Sequence, residues 1–150
     1  MANSQTMLFA GITLLAGIGI PTMAAMNAHL GTRMGSPVAA TVVLFMVGGA
    51  VSVFLLLASG AMPKQIFSMA PPVYYFAGLL MAFYAISITW IAPQFGVGNA
   101  VFFVLFGQLI AAATIDHFGL FGAPIAPIDL KRSVGLAFMA TGVFLSRNHL

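Results

Sequence analysis

The chain has 150 residues, of which 61% are hydrophobic and only 5% are charged, and it contains no cysteine. Soluble domains carry about 25% charged residues, so this composition predicts an integral membrane protein. The lack of cysteine excludes disulfides and thiolate metal sites. No basic run indicates nucleic-acid binding, and neither a metal-ligand spacing nor a cofactor motif is found, so we expect no metal and no cofactor.

Apolar segments in the first two thirds of the chain predict three transmembrane helices, since one crossing needs about 20 apolar residues. The first covers about residues 7–28, and we interpret it as a retained helix because no Lys or Arg precedes it. The second covers about 38–58 and follows a turn rich in Gly, Ser and Pro. The third covers about 73–91, with tyrosines at its start and Trp90 at its end, where interfacial aromatic belts lie.

Two further apolar segments complete the predicted fold. Residues 65–115 carry no Asp, Glu, Lys or Arg, and the stretch APQFGVG at 92–98 divides them into two crossings. The fourth crossing covers about 99–115 and the fifth about 131–146. The segments are continuously apolar rather than alternating, which favours helices over strands. The sequence therefore predicts an all-α membrane protein: one domain, residues 1–150, with a bundle of five transmembrane helices.

The basic residues are almost balanced across this predicted topology. Five crossings put Lys64, Lys131 and Arg132 on the side of the N-terminus, and Arg33 and Arg147 on the other. An excess of Lys and Arg sets orientation, so three against two predicts either weak insertion with the N-terminus inside or insertion both ways. Insertion both ways would allow an antiparallel dimer with a two-fold axis in the membrane plane.

Several motifs carry a resemblance to a known family. They are PTMAAMNAHL at 21–30, Ser36-Pro37, Gly48-Gly49, GQLIAAATIDHFGLFG at 107–122 and KRSVGLAFMATGVFL at 131–145. With them the chain resembles the drug/metabolite transporter superfamily, and above all its five-helix YdcZ-type members. The resemblance covers nearly the whole length, and the GQL…DHFG element is its most specific part.

The resemblance implies a half-size transporter of the bacterial inner membrane that pairs antiparallel with a second copy or a sister chain. Larger relatives carry two five-helix repeats in one polypeptide. The stretch GLAFMATGV at 135–143 is similar to the GLxLIxxGV pairing pattern of the small multidrug resistance exporters. Those exporters use a membrane-embedded Glu in their first helix, whereas the first helix here has no acid. Proton-coupled drug export of that type is therefore in doubt.

The predicted fourth helix contains the most conspicuous polar residues. Gln108 lies at mid-helix, where it either lines a substrate pathway or forms an interhelical hydrogen bond. Asp116 and His117 follow at the helix end. They are candidates for a proton or cation site at the mouth of the pathway, because acids in membrane segments usually mark function. The alternative is that Asp116 pairs with Lys131 or Arg132, or caps a turn.

The first helix offers a break and an amide. Pro21 removes a backbone donor from the carbonyl of Gly17, and broken helices often bind substrate in transporters, although ordinary kinks look the same in sequence. Asn27 is a candidate pathway residue, or alternatively a capping or interhelical group.

The third and fifth helices carry residues at helical spacing. Tyr84, Ser87 and Trp90 are candidates for contacts with a substrate, a cation suiting Trp90, and alternatively serve as packing or interface anchors. Gly135 and Gly142 lie seven residues apart on one face and are candidates for close helix packing, within the chain or with a second copy.

We therefore expect a membrane transporter subunit that moves a small metabolite or an organic cation by alternating access as an antiparallel dimer. An ion channel made from two such subunits is the first alternative, disfavoured because polar groups are sparse. An accessory membrane protein without its own pathway is the second. No acid, base and nucleophile converge in the sequence, so we do not expect an enzyme.

Overall fold

The computed structural model describes residues 2–60 and 70–146. Within those ranges the chain is all helical and has no strand. Its five α-helices are α1 (Ala2–Met34), α2 (Pro37–Ser59), α3 (Ala77–Phe95), α4 (Val97–Phe118) and α5 (Leu130–Ser146). Short 3-10 helices lie at Pro72–Phe76 and Leu120–Gly122. The predicted all-α class is confirmed.

The helix lengths agree with a protein that crosses the membrane several times. Among the described residues, four helices are long and apolar enough to cross: Ser4–Met34, Pro37–Ser59, Pro72–Phe95 and Val97–Phe118. The fifth, α5, has 17 residues, and its apolar part is the shorter stretch Ser133–Gly142. The fifth crossing therefore stays a prediction. Lys64 and Arg147, which the topology argument uses, lie outside the described residues.

Local signals fix the turn between α1 and α2. Gly35 adopts a left-handed conformation with φ of 64°, and the Ser36 amide donates to the carbonyl of Gly31 at 3.0 Å. The Ser36 hydroxyl then accepts from the amide of Ala39 at 3.1 Å, while Pro37 occupies the first turn of α2, where its missing N–H costs nothing. Two residues thus connect the helices, and α1 extends beyond its predicted end at residue 28.

The predicted helix break at Gly17 and Pro21 does not interrupt α1 in the structure, and a role of this position in substrate binding stays a prediction. Proline lies inside α1, which continues through it from Ala2 to Met34. One missing backbone donor leaves the carbonyl of Gly17 without its usual partner but does not end the helix, because the flanking turns keep their own bonds. Next to it, the hydroxyl of Thr22 donates to the carbonyl of Ile18 at 3.0 Å. Pro21 therefore weakens one turn rather than interrupting the helix.

The chain divides into two compact units, Met1–Gln94 and Phe95–Leu150. In the first unit α1 packs against α2. In the second unit α4 packs against α5 and against the 3-10 helix Leu120–Gly122, which directly follows α4. The buried apolar residues are mostly alanines, which let helices approach closely in membranes: Ala24, Ala28, Ala40, Ala85, Ile88, Ala92, Ala100 and Ala113. Larger apolar side chains such as Phe54, Leu80 and Phe103 are exposed, as expected where lipid covers the surface.

Candidate functional site

A buried hydrogen bond connects α1 to α3 inside the first unit. The Asn27 amide nitrogen donates to the Thr89 hydroxyl oxygen at 2.6 Å. Both side chains are almost inaccessible, with 4% and 1% exposure. Of the two alternatives for Asn27, the structure gives the interhelical group; a contact between Asn27 and substrate stays a prediction. The sequence analysis did not identify Thr89, because a single threonine in an apolar run gives no signal of a contact with another helix.

Gly31 lies one turn after Asn27 on α1 and also faces Thr89. A Cβ added at Gly31 would lie 2.9 Å from the Thr89 Cγ2 and 3.4 Å from the Pro37 Cα. Any larger residue would therefore push α3 or the start of α2 away. Near the α1–α2 turn, α1 therefore contacts α3 through the Asn27–Thr89 hydrogen bond and through the close approach of Gly31 to Thr89.

A groove of about 910 Å³ lies between α1 and α2 in this unit. Its lining is apolar except for Asn27, His29 and Arg33. The lining residues are Met23, Ala25, Met26, Asn27, His29, Leu30, Arg33, Val43, Leu44 and Val47. The Arg33 Nε–H donates to the His29 Nε2 at 3.1 Å. The groove is of the size that holds small ligands, and its charge lies at one end.

The three α3 candidates have different environments. The Tyr84 hydroxyl is buried and has no hydrogen-bond partner among the described residues, whereas Ser87 is half-buried. Trp90 is 60% exposed, so it lies at the surface of the chain, as an interface anchor would. A buried hydroxyl without a partner costs about 1–3 kcal/mol. Tyr84 is therefore an α3 residue whose buried hydroxyl has hydrogen-bonding capacity left for a ligand.

Gln108 lies at the middle of α4, and its side chain is exposed. Both sequence-based alternatives for this amide, a pathway residue and an interhelical hydrogen bond, stay predictions. Gly107, Ala111 and Ala112 beside it are exposed as well. Periodicity could not reveal this, because the faces of a membrane helix that meet lipid and protein are both apolar. Gln108 and its small neighbours therefore form an exposed surface at mid-span that a second polar group or a second helix could cover.

Asp116 and His117 lie in the last turn of α4 and are half-buried. The following connection folds back onto them. The Ala126 amide donates to the backbone carbonyl of Asp116 at 2.8 Å, and the Ile128 amide donates to the His117 Nδ1 at 3.0 Å. His117 thus holds the connection in place, and the proton or cation role of both residues stays a prediction.

The glycines of α5 have open surroundings. Gly135 and Gly142 are exposed, and a Cβ added at either would meet nothing within 4 Å in the described part of the chain. Close packing of these glycines within the chain is therefore not seen. Contact with a second copy stays a prediction.

Four helices of membrane-spanning length, apolar surfaces and a few polar groups within the spans define a multi-pass helical membrane protein. The family model described as "Putative inner membrane exporter, YdcZ" matches residues 8–145. The chain belongs to this family, as the resemblance in sequence predicted, and is a multi-pass protein of the inner membrane. Membership also supports the coarser functional prediction, a membrane transporter. No curated protein and no solved structure gives a significant match.

Proposed function

We propose that this chain is one half of an inner-membrane exporter and works as an antiparallel homodimer. The dimer moves a small metabolite or an organic cation by alternating access. The family description supports export. Five helices per copy support a shared pathway, since transporters that use inverted symmetry place substrate near the midplane between two repeats.

The position of Gln108 carries this proposal. The residue lies at the centre of the membrane-spanning helix α4, and its amide is exposed in the described chain. An amide facing hydrocarbon without a partner is costly, so a polar group or a water-filled path is expected against it. An axis in the membrane plane leaves the midplane where it is, so two antiparallel copies bring their Gln108 residues to the same depth. A substrate held between the two amides would then lie at the midplane.

The near balance of basic residues supports the antiparallel arrangement. With five crossings, two of the five Lys and Arg residues lie opposite the other three. Such a small difference gives the insertion machinery little reason to prefer one orientation. Both orientations would then be present in one membrane, and copies of opposite orientation could pair.

The first test is transport by the purified full-length chain in liposomes loaded with the small-molecule fraction of a bacterial cytosol. Mass spectrometry of the lumen identifies which compounds leave. We expect a defined set to leave through the native chain, and Gln108→Ala to slow that loss about tenfold, because one hydrogen bond to substrate is removed.

Gln94→Ala is the matched control. It also removes a glutamine amide from an apolar helix, but among the described residues that amide bonds the Trp90 carbonyl of its own helix, at 3.1 Å. This variant should transport like the native chain. Equal flux in both variants would remove Gln108 from the site. A native chain that moves nothing would favour an accessory subunit.

A further inference from the structure

The groove between α1 and α2 has a direction. Arg33 lies in the last turn of α1, beside the two-residue turn, and Met23 lies deeper in the helix. At 1.5 Å per residue the groove extends for about 15 Å between them. That is roughly half of the hydrocarbon core, which is about 30 Å thick. The groove therefore leads from the membrane surface toward the middle of the bilayer.

The walls of the groove suit a hydrocarbon chain. Below Arg33 and His29 they consist mainly of Met23, Met26, Leu30, Val43 and Val47. Met26 is 71% exposed and Val47 is 60% exposed. Flexible thioethers adapt to chains of varying shape. Because residues from both walls are exposed, a chain can lie along the groove from the side.

The charged end is arranged to bind an anion. The Nε–H of Arg33 is used by His29, which leaves the four N–H groups of the two terminal nitrogens. This planar pair of donors matches two oxygens of a phosphate. His29 accepts through Nε2, so the proton of its neutral ring is on Nδ1, which is a further donor.

Charge favours an anion over a cation here. Residues 1–94 contain no Asp or Glu, and their only Lys and Arg residues are Arg33 and Lys64. No carboxylate within this unit neutralises Arg33. A cation in the groove would meet Arg33 without any counter-charge from the same unit.

We propose that this groove binds one anionic phospholipid from the surrounding bilayer. The phosphate contacts Arg33 and His29, and one acyl chain lies along the apolar walls. The direction of the groove favours a bilayer lipid over a dissolved molecule, because phospholipids also carry the charge at the surface and the chain inward. Basic pockets between transmembrane helices bind lipid head groups in the same way. This site is independent of the proposed function.

Native mass spectrometry of the full chain in detergent tests the proposal. The probes are phosphatidylglycerol and phosphatidylcholine with identical acyl chains. We expect the native chain to retain one phosphatidylglycerol in preference to phosphatidylcholine. Arg33→Gln should lower the affinity for phosphatidylglycerol about tenfold. The affinity for phosphatidylcholine should fall less, because its choline cation already offsets the charge of the same phosphate. Arg33→Lys, which keeps the charge but not the planar pair of donors, should retain part of the preference.

Lys131→Gln is the matched control, since it removes an exposed cation from the second unit and should keep the lipid preference. Equal retention of both lipids by the native chain, or an equal loss in Arg33→Gln and Lys131→Gln, would overturn the proposal. Binding of decanoate in place of phosphatidylglycerol would assign the groove to a dissolved amphiphile. A dimer that disappears in Arg33→Gln with lipid retention unchanged would assign it to a second copy. Far-ultraviolet circular dichroism of each variant verifies the fold.

Discussion

The hydrogen bond between Asn27 and Thr89 joins residues 62 positions apart in the chain. Asn27 was recognisable in the sequence as a polar residue in an apolar helix, but its partner was not. Threonine in a membrane helix usually bonds its own backbone, as Thr41 does with the carbonyl of Pro37 at 2.9 Å. Only the packing of α1 against α3 distinguishes the hydroxyl that bonds another helix from those that do not.

This bond gives a prediction at the level of one side chain. Thr89→Val keeps the shape of the side chain but removes its hydroxyl, so the Asn27 amide loses its hydrogen-bond acceptor. The free energy of unfolding, measured by titration of mixed micelles with dodecyl sulfate, should fall by about 0.6–1.7 kcal/mol, the range found for interhelical hydrogen bonds in membranes.

Thr41→Val is the control for that measurement. Thr41 is equally buried, at 2% exposure, but its hydroxyl bonds only its own helix. The loss should therefore be smaller than for Thr89→Val. Equal losses would mean that the bond between the helices adds nothing to stability.

The helices themselves were largely predictable, and their ends were less so. The predicted centres of all five apolar segments lie in helices, because the apolar runs define them. Their boundaries differ, since apolarity shows where lipid begins and not where a helix stops. α4 continues past residue 115 to Phe118 because Gly119, with φ of 61°, is the residue that ends it.

The connection after α4 gives a prediction at the level of the element. His117→Ala removes the acceptor for the Ile128 amide, so hydrogen exchange at Ile128 should become several-fold to tenfold faster, as expected for a bond of about 0.5–1.5 kcal/mol. Amide exchange in detergent, followed by nuclear magnetic resonance, measures it.

His117→Asn is the conservative variant for this test, because its side-chain oxygen can take the place of Nδ1 and should restore protection. The Ala126 amide, which bonds the Asp116 backbone carbonyl, is the internal reference. Unchanged exchange at Ile128 in His117→Ala would show that the imidazole does not hold the connection.

For the whole molecule, the class and the family followed from composition and motifs, and the site followed only in part. Apolar runs predicted the spans, and the GQL…DHFG element predicted the family that residues 8–145 match. The candidate residues are divided between the two units: Asn27, Tyr84, Ser87 and Trp90 belong to the first, and Gln108, Asp116 and His117 to the second. A sequence pattern does not show which helices pack together, so it could not predict which of these side chains contact each other.

The antiparallel dimer is tested by single cysteines, since the chain has none of its own. Cysteine at Gln108, the centre of α4, lies at the same depth in both copies, so a bis-maleimide long enough to span the substrate space should join two Gln108→Cys chains in membranes. Phe118 lies ten residues further along α4, so two copies in opposite orientation place it roughly 30 Å apart.

Phe118→Cys is therefore the discriminating control, and we expect no cross-link from this exposed position. A parallel pair would bring both positions to matching depths. Cross-linking through Phe118→Cys would contradict the proposed arrangement, as would a Gln108→Cys chain that stays monomeric with the same bis-maleimide.

The turn between α1 and α2 consists of Gly35 and Ser36 alone. With so short a link, we expect the two helices to enter the bilayer during synthesis as one hairpin. The same link keeps the adjoining ends of α1 and α2 close together. Because α1 also packs against α2, we expect the two helices to move together, and the lipid we place between them would move with them.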